Sequence, residues 1–200
     1  KYLELRVEEL YDTICFGELP YEFYGQECKI SGEYTHILKA VGGCDSVTCV
    51  LNLYVHEKLE IELDELAEIC GDDANFVIPY TILQGGFSSG ELRFNQFALN
   101  AGFEDVEEFV GDEIVVVIPD SVRPNTYMVD VVFNNNGCET VTLPLEFMVL
   151  YPSSVIGQRW NDLLGVKNEY YNGGYTFTDY QWYLNDKPIE VQQCLWMIVV

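Results

Sequence analysis

Gly43-Cys44-Asp45-Ser46-Val47-Thr48-Cys49-Val50-Leu51-Asn52-Leu53-Tyr54-Val55 decides how this chain folds. Val47, Cys49, Leu51, Leu53 and Val55 fall on one face of an extended segment, and Thr48, Asn52, Tyr54 and His56 fall on the other. That alternation is the mark of a half-buried antiparallel strand. The opening phrase returns as Gly137-Cys138-Glu139-Thr140-Val141-Thr142, after which Leu145, Phe147 and Val149 take the places of Leu51, Leu53 and Val55. Two shorter echoes accompany it: Leu3-Glu4-Leu5-Arg6-Val7 repeats the Leu51 to Val55 strand, and Ile69-Cys70 repeats Ile14-Cys15. Self-similarity of this kind predicts a string of small all-β modules.

Working back from the quoted strand, Ile14-Cys15 opens the first complete module. Tyr21 and Phe23 alternate with polar neighbours, Gly25-Gln26 turns, and Cys28 and Ile30 are expected on one face of the next strand. Ser31-Gly32 turns the chain again into a strand over residues 34–40. Residues 2–7 read as the last strand of a preceding repeat, joined by an acidic connector, Glu8-Glu9-Leu10, so the chain is expected to be an internal piece of a longer one.

Working forward, residues 58–68 are a carboxylate-rich connector that begins the next module's first strand or forms a short helix. Cys70 then opens the second module. Phe76, Ile78 and Tyr80 alternate, Leu92 and Phe94 follow the Gly85-Gly86 and Ser88-Ser89-Gly90 turns, and residues 95–103 carry one or two helical turns. Ile114 to Ile118 and Tyr127 to Phe133 are strong β-branched and aromatic strands, and Asn134-Asn135-Asn136-Gly137 is a hairpin turn whose residues tolerate positive φ. Pro152-Ser153-Ser154 marks a boundary. Beyond it the chain is aromatic, and Tyr180-Gln181-Trp182-Tyr183-Leu184 followed by Asn185-Asp186 resembles the third strand and hairpin of an immunoglobulin-type sandwich, where Trp fills the space between sheets. The divisions expected are 1–10 as the last strand of a preceding repeat, 11–57 as a small disulfide-tied module, 58–151 as an immunoglobulin-like β-sandwich, and 152–200 as an incomplete one.

Seven cysteines suit units too small to rely on burial alone, and point to an oxidising compartment. Cys28 and Cys49 occupy apolar strand faces, whereas Cys15 and Cys44 stand at strand starts. This facing favours Cys15 with Cys44 and Cys28 with Cys49, against the alternative that Cys28 and Cys49 are free core thiols. Position by position, Cys70 would pair with Cys138. Zinc would need paired short spacings that Cys44 and Cys49 do not supply.

The formal net charge is −23, with only ten Lys and Arg, so nucleic-acid phosphates and anionic membranes are repelled. No run of apolar residues is long enough for a membrane-spanning helix. Solubility of an exposed chain accounts for the acidity. Ca²⁺ held by the acidic clusters is the sharper reading, but none has the ligand pattern of an EF-hand. No cofactor is implied. Neither Gly-x-Ser-x-Gly, His-Glu-x-x-His nor a phosphate-binding glycine loop occurs, and His36 and His56 fall in strands, so no catalytic residue is assigned. Fourteen Tyr, eleven Phe and three Trp offer flat faces for sugars or proteins. Tyr170, Tyr171 and Tyr175, flanking Gly173-Gly174, are the candidates for an exposed ligand-binding site.

The phrases Ile14-Cys15, Tyr21-Glu22-Phe23, Gly25-Gln26, Ser31-Gly32-Glu33-Tyr34-Thr35 and Gly43 to Thr48 resemble the tandem Ig-like repeats of large secreted or surface proteins of Bacteroidetes bacteria. Residues 151–189, with Gln158-Arg159-Trp160-Asn161-Asp162 and Tyr171-Asn172-Gly173-Gly174-Tyr175-Thr176-Phe177, are similar to a stretch of the same proteins. The resemblance implies tandem Ig-like β-sandwich modules in an extracytoplasmic, secreted or cell-surface location. It also implies a non-enzymatic adhesive or structural role, with neighbouring modules and a surface protein or glycan as partners. Independently of the resemblance, the unpaired strand edges of the two incomplete end pieces are expected to find cover on a neighbouring module or on a second copy of the chain, giving a homo-oligomer. A carbohydrate-binding module using the exposed tyrosines is the alternative. Two departures stand out: Cys49 replaces a small or apolar residue of the pattern, and residues 191–200, with Cys194, lack the expected turn residues.

Overall fold

The computed structural model describes residues 6–40, 42–43, 45–111, 113–159 and 163–188. Of the residues singled out in sequence, 2–5, Cys44, Trp160-Asn161-Asp162 and the 191–200 tail with Cys194 lie outside the described residues. The chain is all-β, with one five-residue helix and two single turns of 3₁₀ helix among the described residues.

The first unit comprises β1 (Arg6–Cys15), β2 (Tyr21–Phe23), β3 (Gln26–Cys28), β4 (Gly32–Lys39) and β5 (Asp45–His56). The quoted stretch is its central strand. β5 runs parallel to β1 on one side and antiparallel to β4 on the other. As the alternation predicts, Cys49, Leu51, Leu53 and Val55 are buried together, with Ile14 of β1 beside Val55. The β2–β3 hairpin turns at Tyr24 and Gly25, both at positive φ, and packs Phe23 and Cys28 into the same core. Ile30, expected beside Cys28, is exposed, because β3 ends at Cys28 and the chain bends away. β1 also runs unbroken through the division expected at residue 10: Glu8, Glu9 and Leu10 are not a connector but pair with Cys49, Val50 and Leu51. An edge strand leaves one side to solvent, which tolerates these carboxylates.

The second unit comprises β6 (Glu60–Leu63), β7 (Ile69–Cys70), β8 (Asn75–Ile78), β9 (Tyr80–Gln84), β10 (Ser89–Phe94), α1 (Gln96–Asn100), β11 (Val106–Phe109), β12 (Ile114–Val117), β13 (Asn125–Asn135) and β14 (Glu139–Leu150). β11-β10-β13-β14-β7 form a five-stranded sheet, and the pairs β8–β12 and β6–β9 contribute Phe76, Ile78, Ile114, Val116 and Ile61 to the same core. Phe76 of β8 meets Phe147 of β14 at 5.0 Å between ring centroids, and Phe103 packs on Phe94, Tyr127 and Phe147. Asn95 caps α1 by accepting from the Ala98 amide at 2.8 Å. At the expected hairpin, Asn136 and Gly137 both take positive φ and the Cys138 amide donates back to Asn135 O. The repeated phrases occupy equivalent places. Ile69 pairs in parallel with Val149 as Ile14 pairs with Val55.

The C-terminal region holds β15 (Ile156–Arg159) paired with β16 (Leu163–Val166), and β17 (Tyr183–Leu184) paired with β18 (Lys187–Pro188) around Asn185-Asp186 at positive φ. Trp182 is half-buried and precedes a strand of two residues, shorter than the strand its aromatic setting predicts.

Candidate functional site: the junction between the units

Val55 is buried in the first core and Leu59 in the second, so only His56, Glu57 and Lys58 separate them. The β13–β14 hairpin tip grips this short linker. Asn135, only 2% exposed, donates from Nδ2 to Glu57 O at 2.8 Å, and the Glu139 carboxylate accepts from the Leu59 amide. Asn136 Nδ2 lies 3.4 Å from His56 Nδ1, which accepts in the Nε2-protonated tautomer. Ser88 buttresses the tip, donating to Asn134 O and accepting from the Asn136 amide. On the far side Gly85, at φ +72°, lies so close to the linker that an added Cβ would stand 2.6 Å from Lys58 O.

A disulfide closes the junction. Cys15 is bonded to Cys138, with Cα atoms 5.3 Å apart and a sequence separation of 123. This corrects the pairings expected for both cysteines. β1 is parallel to β5, so Cys15 lies beside His56, the opposite end of β5 from the Cys44 side. Likewise Cys70 pairs with Leu150 at one end of β14, while Cys138 precedes its other end. A 12-residue strand spans roughly 40 Å, against the 7 Å or so between Cα atoms that a disulfide allows. Cys28 and Cys49 are both free and buried, the core-thiol alternative, and Cys70 is free and partly exposed. Burial pushes the Cys28 thiol up, and burial with Asp73, Asp72 and Glu68 close by pushes Cys70 up, so neither favours the reactive thiolate.

Two tyrosines not singled out above form matching braces. Tyr34, third in β4, donates its hydroxyl to Ile30 O at 2.8 Å. Tyr127, third in β13, donates to Arg123 O at 2.7 Å. Each bond reaches back four residues from the start of the next-to-last strand of its unit. The signal in sequence is a Tyr soon after turn residues, Ser31-Gly32 in one case and Pro124-Asn125 in the other. Burial raises the Tyr127 phenol above its ordinary value, keeping the hydroxyl a donor.

The tyrosine candidates separate into two kinds. Tyr170 is 86% and Tyr171 62% exposed, and their rings meet edge to face at 83°. They form no coplanar platform. Tyr175 is half-buried, packed on Tyr151 and Phe177, with the Arg123 guanidinium 5.1 Å from its ring centroid. The loop that carries them is organised by buried Asn172, which donates to Lys167 O and Tyr175 O and accepts from the Tyr175 amide. Arg123 also donates to Gly173 O, and Asp72 accepts from the Ser153 amide and hydroxyl, so the C-terminal region contacts the second unit at two places.

Among the described residues, no three or more His, Cys, Asp or Glu converge as metal ligands, and no helix is long and apolar enough to cross a membrane. The chain matches no protein-family model and no curated protein.

Proposed function

We propose that this chain is a non-enzymatic, extracytoplasmic structural or adhesive segment of a larger multidomain protein, built from tandem immunoglobulin-like modules. The observation that carries this is the junction. A disulfide, a buried Asn135 and a linker of three residues hold two separately cored β-units in one relative placement, which is what a chain that transmits force or presents a surface needs. The disulfide also suggests an oxidising compartment. Immunoglobulin-like character is supported by the braces of Tyr34 and Tyr127, which resemble the tyrosine corner of such sandwiches, and by the parallel pairing of the Ile-Cys strand with the last strand in both units.

Peptide mapping of protein expressed in an oxidising compartment is expected to recover Cys15 joined to Cys138, and small-angle scattering to fit one inter-unit arrangement. Cys138→Ser is expected to broaden that arrangement. An oxidised protein whose scattering requires freely moving units overturns the reading.

A second reading, glycan or protein recognition through the loop, is favoured by the exposure of Tyr170 and Tyr171. A glycan array with wild type and the Tyr170→Ala, Tyr171→Ala double variant tests it. Binding that the double variant retains removes these tyrosines from the site.

A further inference from the structure

The first sheet has two edges, and they differ in kind. β1 carries Glu8, Glu9 and Asp12, so a second copy laid antiparallel along it sets Glu8 against Asp12 when centred on Leu10, or Glu9 against itself. In the second unit, the edge strand β11 holds Glu107 and Glu108 within four residues, and the other edge, β7, is two residues long. Such charges and short lengths are how edges are kept from pairing. β4 has neither device. It is eight residues long, Gly-Glu-Tyr-Thr-His-Ile-Leu-Lys, contains no Pro, and among the described residues is bonded to β5 on one side with no strand on the other. Its charges, Glu33 and Lys39, cancel, so in a chain of net charge −23 it is a neutral stretch of edge.

We propose that β4 is a homodimerisation edge, pairing antiparallel with β4 of a second copy about a two-fold axis through His36, so that two three-stranded sheets become one of six. The register follows from the faces. Tyr34, His36 and Leu38 pair with Leu51, Cys49 and Val47 on the covered side, and Glu33, Thr35 and Ile37 lie on the open side. A two-fold axis normal to the sheet keeps the covered side continuous, so each residue must meet one of its own face. Centred on His36, Glu33 opposes Lys39, Tyr34 opposes Leu38 and Thr35 opposes Ile37. These are an aromatic–aliphatic pair, a β-branched pair and an opposite-charge pair, the last a favourable cross-strand combination, and no like charges oppose one another. Ile37 and Leu38 are exposed in the single chain, and pairing covers them. His36, at the centre, is stacked on Tyr24 at 4.6 Å on the covered side, which leaves the axis free of a protruding ring. The inference does not depend on the functional reading above, since strand pairing requires only the edge.

Sedimentation velocity of the full oxidised chain over a concentration series tests it. Wild type is expected to show a monomer–dimer equilibrium that tightens with salt, because the repulsion between two acidic chains is screened. Glu33→Lys or Lys39→Glu alone places like charges opposite each other twice per dimer, and is expected to weaken association about tenfold or more. The exchange Glu33→Lys with Lys39→Glu restores the opposite pairing and the dimer. Both side chains are exposed and each variant's fold is checked by circular dichroism. A wild type that stays monomeric overturns the proposal. So does a dimer indifferent to the single reversals, or one that the exchange fails to restore.

Discussion

Single residues hold the contacts between units. Asn135 is a buried amide whose partner is a linker carbonyl, and removing it takes the donor from Glu57 O at a part-buried contact. Asn135→Ala is expected to destabilise the protein by about 1–3 kcal/mol in urea unfolding, whereas a solvent-exposed amide at that place would register almost nothing. Asp72 acts at the other boundary. Hydrogen bonds from the Ser153 hydroxyl and amide hold its carboxyl below the usual range. Because the folded-state value is depressed, the contact's contribution is present above the unfolded value of about 4 and is lost as pH falls through the lower folded value. In an acid titration followed by NMR, the Ser153 amide is expected to shift with an apparent midpoint below the ordinary Asp range. Asp72→Asn should abolish the step; its persistence would show that another group causes it.

At the scale of elements, the pairing of β10 with β11 depends on a residue with no side chain. Gly90 faces Phe109 across the two strands, and a Cβ there would sit 2.1 Å from the ring. The ring covers the glycine and reaches Phe87 and Phe133 at 6.2 and 5.9 Å. Gly90→Ala must push Phe109 out of this contact, and is expected to cost about 1–3 kcal/mol and to increase hydrogen exchange in β11 before β13. Equal protection in both strands would mean the edge adjusts without loss. Short elements elsewhere rest on caps of the same economy, as Asn95 does for α1.

For the whole molecule, the two cores are unequal. Seven buried residues make up the first and nineteen the second among those described. A unit with so small a core is marginal by itself, and the disulfide ties it to the larger one. With a sequence separation of 123 between the cysteines, the chain-entropy model puts the tether's contribution at roughly 5 kcal/mol as an upper figure. Cys138→Ser is expected to split one cooperative calorimetric transition into two, with signals from Tyr21, Tyr24 and Tyr34 lost first. A single transition at an unchanged temperature would show that the hydrogen-bonded clamp suffices without the covalent bond.

Periodicity of two determined the strands locally: the alternation through Val47 to Val55 and the β-branched run at Ile114 to Val117 lie where their residue types require, and the Asn136-Gly137 turn takes the positive φ its composition permits. The recurrence of Ile-Cys and of the Gly-Cys phrase likewise marked equivalent strand pairs in two units, because the same pattern of buried positions demands the same neighbours. Pairing between cysteines was not legible. It depends on which strand ends meet, and a parallel β1 brings Cys15 to the junction end of β5, where the hairpin of the next unit presents Cys138. Nor was the difference between exposed Tyr170 and half-buried Tyr175 legible, since both flank the same glycines and only the approach of Arg123, Tyr151 and Phe177 covers one of them. Local sequence sets which face of a strand is apolar. Long-range contacts decide what that face, and each strand end, will touch.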